Sequence, residues 1–328
     1  MIYPEFLKKN DTIGITAVSA GIEGKKLVQL DLSEQNICRQ GYKVTETKNV
    51  RAGGIVSSTG EERAKQLKAL CEDPSVKMIL CASGGDFLID MLPYVDYEAI
   101  KANPKWIQGY SDPTSLLYSV TTLLDIATIY GFNGGGYGMK ELHKSHKDSF
   151  AILSGDIVEQ KSYDFYEGEK DGALDGYILT EPVYWKNLNG KEVNVKGRLL
   201  GGCMECLADI IGTSYDGTKK FLDRYKEDGI LWYFDIFGLR SEQVYNTLWH
   251  MKQAGWFEGA AGFMFGRVMF AGTFLDMSYE EAIVRALGES PVVFNVDIGH
   301  VAPRMTVING AMGELSSNSG KGRLKMQL

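Results

Sequence analysis

A serine in the stretch 109–117 (GYSDPTSLL) occupies a position where two kinds of chemistry are possible. Ser111 and Asp112 before Pro113 are typical of a helix start, because a hydroxyl or carboxylate there can accept hydrogen bonds from the first free N–H groups. The same strand-turn-helix pattern is typical of a hydrolase whose nucleophilic serine is exposed on a sharp turn. Because Pro113 replaces the last glycine of the G-x-S-x-G pattern, this stretch alone favours the helix cap.

A nucleophilic serine would need hydrogen-bond donors for the negative oxygen that forms when it attacks a carbonyl group. The N–H group of Asp112 is one candidate, because the start of the following helix directs free N–H groups towards the serine. A second donor can come from the turn at Gly84 and Gly85, where the missing side chains let the backbone approach a ligand.

A nucleophilic serine also needs a base, and the chain contains four histidines. His300 follows an apolar strand and Gly299, and loops at strand ends are where a rigid scaffold presents catalytic groups. A structural loop histidine is the alternative for this position. We expect His143 and His146 in a charged surface turn, and His250 on the face of a helix.

The third group of such a site is a carboxylate that orients the histidine. Asp235 stands near the end of the apolar strand ILWYFDIFG, and a carboxylate buried there must be paired or functional, because burying it alone is costly. Asp209 and Asp297 lie in similar apolar settings and compete for this role.

Two further motifs favour packing over chemistry. Cys203 and Cys206 have C-x-x-C spacing, but they lie in a helical pattern and lack the other two ligands of a zinc site. The stretch 134–138 (GGGYG) lacks the G-x-G-x-x-G spacing and the downstream acid of a dinucleotide site. The sequence therefore predicts neither a metal nor a nucleotide cofactor.

Short β-branched runs alternate with amphipathic segments in the first half of the chain, which predicts a parallel sheet covered on both faces. The predicted strands there are 12–18, 42–47, 76–82, 106–109 and 126–130. In the second half, predicted helices and strands also alternate. The predicted helices are 203–212, 242–254 and 279–287, and the predicted strands are 230–235, 260–265, 292–298 and 305–309. Because ligands bind beyond the carboxyl ends of parallel strands, the turns with Gly84 and Ser111 share the expected functional edge.

The length of 328 residues predicts two domains. We expect an α/β protein with a Rossmann-like domain over residues 1–150, a linker over 151–180 and a β-rich α/β domain over 181–328. The net charge of -7 argues against a nucleic-acid partner. The absence of a signal-peptide pattern, of a membrane-spanning run and of a disulfide framework favours a cytoplasmic protein without a membrane partner.

Several motifs in order resemble the LD-carboxypeptidase family of serine peptidases, and within it the microcin C immunity branch. They include the stretches ILCASGGDFLIDMLPYVDYEAIKANPKWIQGYSDPTSLL, GRLLGGCMECLADIIGT, GILWYFDIFGLRSEQVYNTLWHMKQAGWFEGAAGFMFGR and NVDIGH. The resemblance spans nearly the whole chain. It implies a two-domain fold in which a Rossmann-like sheet carries the nucleophile and a β-rich domain carries the acid and the histidine. It also implies that no metal or cofactor is used, and that the protein forms a homodimer.

The resemblance assigns a role to each candidate residue. It makes Ser111 the nucleophile, His300 the general base and acid, and Asp235 the third member of the triad. The N–H groups of Asp112 and Gly85 would form the oxyanion hole. The substrate would lie beside Gly84, in the turn next to the serine.

One departure concerns the acid, since the family branch has glutamate where this chain has Asp235, one methylene group shorter. A displacement of about 1 Å in a catalytic site can lower the rate on the order of a hundredfold. The protein is therefore either active with a compensating backbone or slow. A binding protein with an impaired triad on the same scaffold is the alternative.

The predicted substrate follows from Trp185, which resembles a tryptophan of the immunity branch that stacks on the nucleotide part of the substrate. A tryptophan packed between the domains is the alternative. Stacking would favour a peptidyl or aminoacyl nucleotide-like substrate. A murein tetrapeptide LD-carboxypeptidase is the other candidate, and it would need a cation for the terminal carboxylate, for which Arg267 and Arg304 are available.

Overall fold

The computed structural model describes residues 1–168 and 174–328. The first half forms five parallel strands, in the spatial order β2-β1-β3-β4-β5. These strands are β1 (Thr12–Thr16), β2 (Lys43–Glu46), β3 (Val76–Cys81), β4 (Trp106–Gly109) and β5 (Thr128–Tyr130). The helices between and after them are α1 (Lys26–Arg39), α2 (Gly60–Glu72), α3 (Tyr97–Ala102), α4 (Thr114–Leu124) and α5 (Lys144–Leu153). Every residue of the central strand β4 is buried, as expected for a parallel sheet with both faces covered.

The second half forms an eight-stranded sheet whose four central strands are parallel. The remaining strands of the chain are β6 (Gln160–Lys161), β7 (Phe165–Tyr166), β8 (Glu181–Pro182), β9 (Lys186–Asn187), β10 (Val193–Cys203), β11 (Ile230–Asp235), β12 (Ala260–Gly266), β13 (Val292–Val296), β14 (Val307–Asn309), β15 (Met312–Asn318) and β16 (Lys321–Gln327), and all of them except β14 lie in this sheet or in the short hairpin beside it. The helices are α6 (Met204–Ile210), α7 (Thr218–Arg224), α8 (Ser241–Gln253) and α9 (Tyr279–Leu287). The larger sheet has the order β6-β16-β15-β10-β11-β12-β13-β9, while β7 pairs with β8. The predicted α/β class with a parallel first sheet and a β-rich second half is confirmed.

Strand β14 joins the two halves, because it pairs antiparallel with β5 and so belongs to the first sheet. The strand predicted at residues 305–309 is therefore present, but it extends the first sheet and not the second. Strands β15 and β16 follow as an antiparallel hairpin of the second sheet, and sequence analysis did not predict them. It also missed the long strand β10, which ends at Cys203 so that the helix begins only at Met204.

The segment predicted as a linker, 151–180, is in part regular structure. Helix α5 reaches Leu153, strand β6 extends the second sheet, and β7 forms its hairpin with β8. Residues 169–173 of this predicted linker lie outside the described residues. The predicted boundary at residue 150 therefore falls within a helix.

Buried hydrogen bonds connect the two halves beside the ends of β4 and β11. Thr114 at the start of α4 accepts a hydrogen bond from the Cys203 N–H group at 3.0 Å. Tyr118 on the same helix lies 2.6 Å from the Thr218 hydroxyl of α7. Because these contacts lie on the helix that follows Ser111, they hold the serine turn against the second sheet. In the described residues, no helix is long and apolar enough to cross a lipid bilayer.

Candidate active site

Ser111 lies on a strained turn between β4 and α4. Its φ of +69° is in the left-handed region, which costs energy for a residue with a side chain. Gly109 makes the turn possible, since an added Cβ would lie 2.8 Å from the Pro113 Cβ atom. Pro113 precedes the helix without any side-chain cap, so Ser111 does not cap α4.

The imidazole of His300 meets the Ser111 hydroxyl group. His300 Nε2 lies 3.0 Å from Ser111 Oγ, within hydrogen-bond distance. The ring is 6 % exposed and lies between the rings of Tyr110 and Phe237, whose centroids are 5.2 Å and 4.6 Å away. Gly299, with a φ of +101°, turns the chain just before the histidine. The histidine is therefore fixed by packing on two sides.

Asp235 lies behind the histidine at the end of β11 and is fully buried. Its Oδ2 atom is 2.7 Å from His300 Nδ1, and its Oδ1 atom accepts a hydrogen bond from the His300 N–H group at 3.2 Å. The Tyr130 hydroxyl donates to Oδ2 at 2.6 Å. Burial raises the pKa of Asp235, but the charge of His300 and the donors from His300 and Tyr130 outweigh it, so the pKa lies below its ordinary value. The carboxylate is therefore ionised and facing the imidazole.

The space around Asp235 suits an aspartate. A Cβ added to Gly299 would lie 2.0 Å from Asp235 Oδ1, so the chain of the histidine loop passes directly over the carboxylate. The loop that carries His300 thus lies close enough to contact an aspartate, which is one methylene group shorter than a glutamate. The departure from glutamate thus leaves no gap between the acid and the histidine.

The turn with Gly84 and Gly85 passes beside the serine. A Cβ added to Gly84 would lie 3.1 Å from Ser111 Oγ and 3.8 Å from the Asp112 nitrogen. Gly85 has a φ of +155° and packs against Ser19, whose Oγ atom would be 2.3 Å from an added Cβ. Among the described residues, neither Gly85 N nor Asp112 N has a hydrogen-bond acceptor.

The Asp112 carboxylate holds the turn with Gly84 and Gly85 in place through hydrogen bonds. It is buried and accepts hydrogen bonds from the Ser19 hydroxyl and, at 2.9 Å, from the Leu88 N–H group. Burial raises the pKa of Asp112 above its ordinary value, although these two donors oppose the shift. The side chain therefore braces the loop around Gly85, while its own N–H group remains beside Ser111.

Two cavities meet at His300. One, with a volume of about 410 Å³, contains Ser111 in its wall together with Gly84, Tyr110 and Arg304, and we call it the nucleophile cavity. The other, of about 1010 Å³, lies beyond the histidine and is lined by Tyr166, Phe265, Arg267 and Tyr279, among others; we call it the large cavity. A substrate bound across His300 could thus extend in two directions from the serine.

Two family models match the chain. Residues 13–131 match the LD-carboxypeptidase N-terminal domain and residues 196–315 match the LD-carboxypeptidase C-terminal domain. Together these matches cover more than half of the chain. The chain belongs to the LD-carboxypeptidase family. Sequence analysis predicted this family, and the match also confirms that the protein is a hydrolase.

Curated relatives and solved structures include both kinds of enzyme considered above. The Escherichia coli microcin C7 self-immunity protein MccF is 28% identical over 64% of this chain and 63% of its own length. A Bacillus subtilis protein named "Probable murein peptide carboxypeptidase" is 25% identical over 96% of this chain and 91% of its own. The structure of MccF in complex with aspartyl sulfamoyl adenosine matches with a TM-score of 0.82 and 21% identity, covering 100% of this chain and 99% of that one. This last match shows the shared fold.

Trp185 does not lie where the predicted stacking role requires. Its side chain is 1% exposed, and its indole N–H group donates to Asp297 Oδ2 at 2.9 Å. A Cβ added to Gly322 on β16 would lie 2.0 Å from the ring, so the backbone of the second sheet covers one face. The prediction that Trp185 stacks on a substrate was wrong, because the ring fills the core beside this sheet.

The competing acids and histidines have structural surroundings. Asp297 is fully buried and forms an ion pair with Arg267 at 2.6 Å, whereas Asp209 is exposed on α6. His143 accepts a hydrogen bond from the Ser145 N–H group at the start of α5. His146 is fully buried, and burial lowers its pKa to about 3, so the expected surface position was wrong for this residue.

The other motifs pack as predicted. His250 is exposed on helix α8. Cys203 and Cys206 are buried at the junction of β10 and α6, where the Cys206 thiol lies 3.6 Å from the Ser111 carbonyl oxygen. The glycine-rich stretch forms a short 3-10 helix, Gly134–Tyr137, whose carbonyl groups accept hydrogen bonds from α1.

Sequence reasoning missed two residues that shape the site. Tyr130 looks like an ordinary core residue of β5, and only the pairing of the two halves brings its hydroxyl to Asp235. Glu205 accepts hydrogen bonds from the N–H groups of residues 237, 238 and 239 at 2.8 to 3.1 Å and so holds the loop after the acid. Arg304, which sequence analysis named as a candidate cation without a position in the site, lies in the wall of the nucleophile cavity.

Proposed function

We propose that the protein is a serine peptidase or amidase that cleaves its substrate through an acyl-enzyme, with Ser111, His300 and Asp235 as the catalytic triad. The observation that carries this proposal is the continuous contact from Ser111 Oγ to His300 Nε2 at 3.0 Å and from His300 Nδ1 to Asp235 Oδ2 at 2.7 Å. These distances are within the reach that proton transfer requires. The strained turn at the serine supports the same role.

In the acylation step, His300 Nε2 accepts the proton of Ser111 as Oγ attacks the carbonyl carbon of the amide. The imidazolium is stabilised by the ionised Asp235. The N–H groups of Asp112 and Gly85 hold the negative oxygen, for which both are free among the described residues. As the C–N bond breaks, His300 returns the proton to the leaving nitrogen.

In the deacylation step, a water molecule attacks the ester formed with Ser111, and His300 accepts the proton of that water. The same two N–H groups hold the second negative oxygen. His300 then protonates Ser111 Oγ as the carboxylic acid product leaves, which restores the enzyme. Asp235 keeps its charge throughout.

The short distances among Ser111, His300 and Asp235 favour an active enzyme over the binding protein considered above. The carboxylate of Asp235 contacts both the ring and the backbone N–H group of His300, at 2.7 Å and 3.2 Å. An impaired triad would be expected to leave the shorter acid out of reach of the imidazole. The close passage of Gly299 over Asp235 supports a backbone adjusted to aspartate.

For the substrate, we propose a short peptide cleaved next to its free carboxyl end, as in a murein tetrapeptide LD-carboxypeptidase. The nucleotide-like substrate was predicted from Trp185, and the burial of that ring removes this support. Arg304, in contrast, lines the nucleophile cavity, and it supplies the cation that a terminal carboxylate needs. The alignment with the murein-type relative also covers 96% of this chain.

A peptidyl or aminoacyl nucleotide-like substrate is the second candidate, and the large cavity favours it. With a volume of about 1010 Å³ and the rings of Tyr166 and Tyr279 in its wall, this cavity offers room for a nucleoside. The complex of MccF with aspartyl sulfamoyl adenosine, a structure with the same fold, supports the same substrate class. The homodimer and the cytoplasmic location stay predictions.

Labelling with a fluorophosphonate probe tests the nucleophile without knowledge of the substrate. The unchanged protein should react with the probe, Ser111→Ala should not, and Ser154→Ala, which changes an exposed serine on the surface, should react normally. Labelling that survives Ser111→Ala would contradict the proposal. Incubation with an LD-tetrapeptide and with an aminoacyl sulfamoyl adenosine then shows which amide is cleaved.

A further inference from the structure

Arg304 is a buried cation in the wall of the nucleophile cavity. Its side chain is 8% exposed, and its guanidinium group lies over the ring of Tyr110, 4.4 Å from the centroid. Its Nη2 atom donates to the His300 carbonyl oxygen at 3.1 Å. Because Tyr110 directly precedes Ser111, these two contacts hold the guanidinium group close to both reacting residues.

Among residues 1–168 and 174–328, no carboxylate lies within ion-pair distance of Arg304, and its charge is stabilised by Tyr110, Tyr177 and the more distant Asp235. Its Nε atom also has no hydrogen-bond acceptor within this part of the chain. The Nε atom of Arg267 also has no acceptor in this part of the chain, but Arg267 differs in its charge pairing. It is similarly buried, and it pairs with Asp297 at 2.6 Å and donates to the Asn295 carbonyl oxygen at 3.0 Å. A buried charge is costly unless it is paired, so Arg304 is suited to an anion that arrives with a ligand.

The position of Arg304 limits where on the substrate this anion can be. In a peptide whose last amide is cleaved, the terminal carboxylate is separated from the scissile nitrogen by a single carbon atom. Once the carbonyl carbon lies at Ser111, this carboxylate lies close to the serine, and in a substrate whose leaving residue enters the nucleophile cavity it meets the wall that contains Arg304. The planar fork of a guanidinium group matches the two oxygens of a carboxylate.

We propose that Arg304 binds the terminal carboxylate of the leaving residue and thereby selects peptides with a free carboxyl end. This inference rests on the proposed function, because it needs Ser111 as the point of attack. It assigns a recognition role to a residue outside the triad, and it makes the nucleophile cavity the site of the leaving amino acid.

The kinetic test compares an LD-tetrapeptide with its C-terminal amide, which lacks only the negative charge. We expect the unchanged enzyme to cleave the acid with the higher kcat/KM. Arg304→Met should lower kcat/KM for the acid by about 10- to 100-fold, as expected for the loss of hydrogen bonds to a charged group, and should change the amide little. Arg304→Lys should have an intermediate kcat/KM for the acid, because lysine keeps the positive charge but lacks the two parallel donors of the guanidinium group.

The matched control is Arg323→Met, which removes an arginine whose side chain is 57% exposed on β16. This variant should keep the preference for the acid. Equal losses on acid and amide in Arg304→Met would overturn the proposal, and so would an unchanged preference. Thermal unfolding of each variant shows whether a loss of activity reflects a loss of folded protein. If Arg304→Met does not fold, the same comparison of acid and amide is made with Arg304→Lys, and an unchanged preference for the acid together with an unchanged kcat/KM in that variant would overturn the proposal.

A binding test separates this inference from the proposed function. In protein carrying Ser111→Ala, calorimetry should detect tighter binding of the tetrapeptide acid than of its amide, and adding Arg304→Met should abolish the difference. An aminoacyl sulfamoyl adenosine, whose leaving group has no carboxylate, should bind equally with and without Arg304→Met. No difference between acid and amide in the Ser111→Ala protein would overturn the inference. Turnover by the Ser111→Ala protein would instead contradict the proposed function.

Discussion

The Tyr130 hydroxyl donates a hydrogen bond to Asp235 Oδ2 at 2.6 Å, across the junction of the two halves of the molecule. The same hydroxyl accepts a hydrogen bond from the Ser111 N–H group at 3.4 Å. Burial and the charge of Asp235 raise the pKa of Tyr130 well above its ordinary value, so the phenol keeps its proton and can donate. One side chain thus links the acid of the second half to the backbone of the serine turn in the first.

Tyr130→Phe should destabilise the protein in a pH-dependent way. The folded state lowers the pKa of Asp235, so this carboxylate stabilises the fold above its ordinary pKa and ceases to do so as the pH falls through the lower folded value. Removing one of the donors should reduce the free energy of unfolding at neutral pH by about 1–3 kcal/mol. The loss should become smaller at about pH 3. Denaturant unfolding at both pH values measures it.

Tyr118→Phe is the matched control, because this tyrosine is equally buried but lies 2.6 Å from the neutral hydroxyl of Thr218. Its loss of stability should not change between the two pH values. If the two variants showed the same pH dependence, the contact between Tyr130 and Asp235 would not be the cause of the pH-dependent loss of stability.

The sequence was sufficient to predict where the reacting residues lie along the chain. Ser111 and Asp235 directly follow or end apolar strands, and parallel strands bring their carboxyl ends to one edge of a sheet. His300 follows such a strand with a glycine before it. The resemblance to a family then connected the three, which no pattern within one half of the chain could do.

The rest of the site could not be predicted because it depends on contacts between distant segments. Tyr130 meets Asp235 across the junction of the two halves, where β14, from the end of the chain, pairs with β5. Trp185 lies in a loop-like stretch, and its burial follows from β16, which was itself not predicted. The role of Arg304 depends on which cations already have partners, a property that residue types do not show.

The length of the acid can be tested in both directions at residue 235. Asp235→Asn should lower kcat by about 10⁴-fold, because an amide cannot hold the correct tautomer of the imidazole or stabilise its positive charge. Asp235→Glu should also lower kcat, since a methylene group added beneath Gly299 forces the histidine loop to move, at a cost of about 1–3 kcal/mol. Steady-state kinetics and thermal unfolding measure the two effects.

Introducing glutamate, the acid that the family resemblance led us to expect, thus tests whether the backbone is adjusted to aspartate. If the Asp235→Glu enzyme were as stable as the unchanged protein and had a higher kcat, the backbone would not be adjusted to aspartate. A variant that loses both stability and kcat agrees with the close passage of Gly299 over the carboxylate.

Gly84→Ala should block the site while leaving the fold intact. The added methyl group would lie 3.1 Å from Ser111 Oγ, in the space where a substrate carbonyl group must enter. We expect kcat/KM to fall by about a hundredfold, since small displacements at a reacting centre have effects of this size. Gly272→Ala, whose new Cβ would have only an ordinary contact at 3.4 Å, is the control. Unchanged turnover in Gly84→Ala would mean that the substrate does not approach the serine beside this turn.

Trp185→Phe distinguishes a ring in the core from a ring that binds substrate. The change removes the hydrogen bond to Asp297 and leaves a space beneath β16, so the free energy of unfolding should fall by about 2–4 kcal/mol. Trp249→Phe, at an exposed position of α8, should cost less than about 0.5 kcal/mol. Because the buried indole has no face open to a ligand, the ratio of kcat/KM for a nucleotide conjugate to that for an LD-tetrapeptide should stay the same in Trp185→Phe. A selective loss on the nucleotide conjugate, with stability unchanged, would return Trp185 to the substrate site and favour the immunity-type substrate.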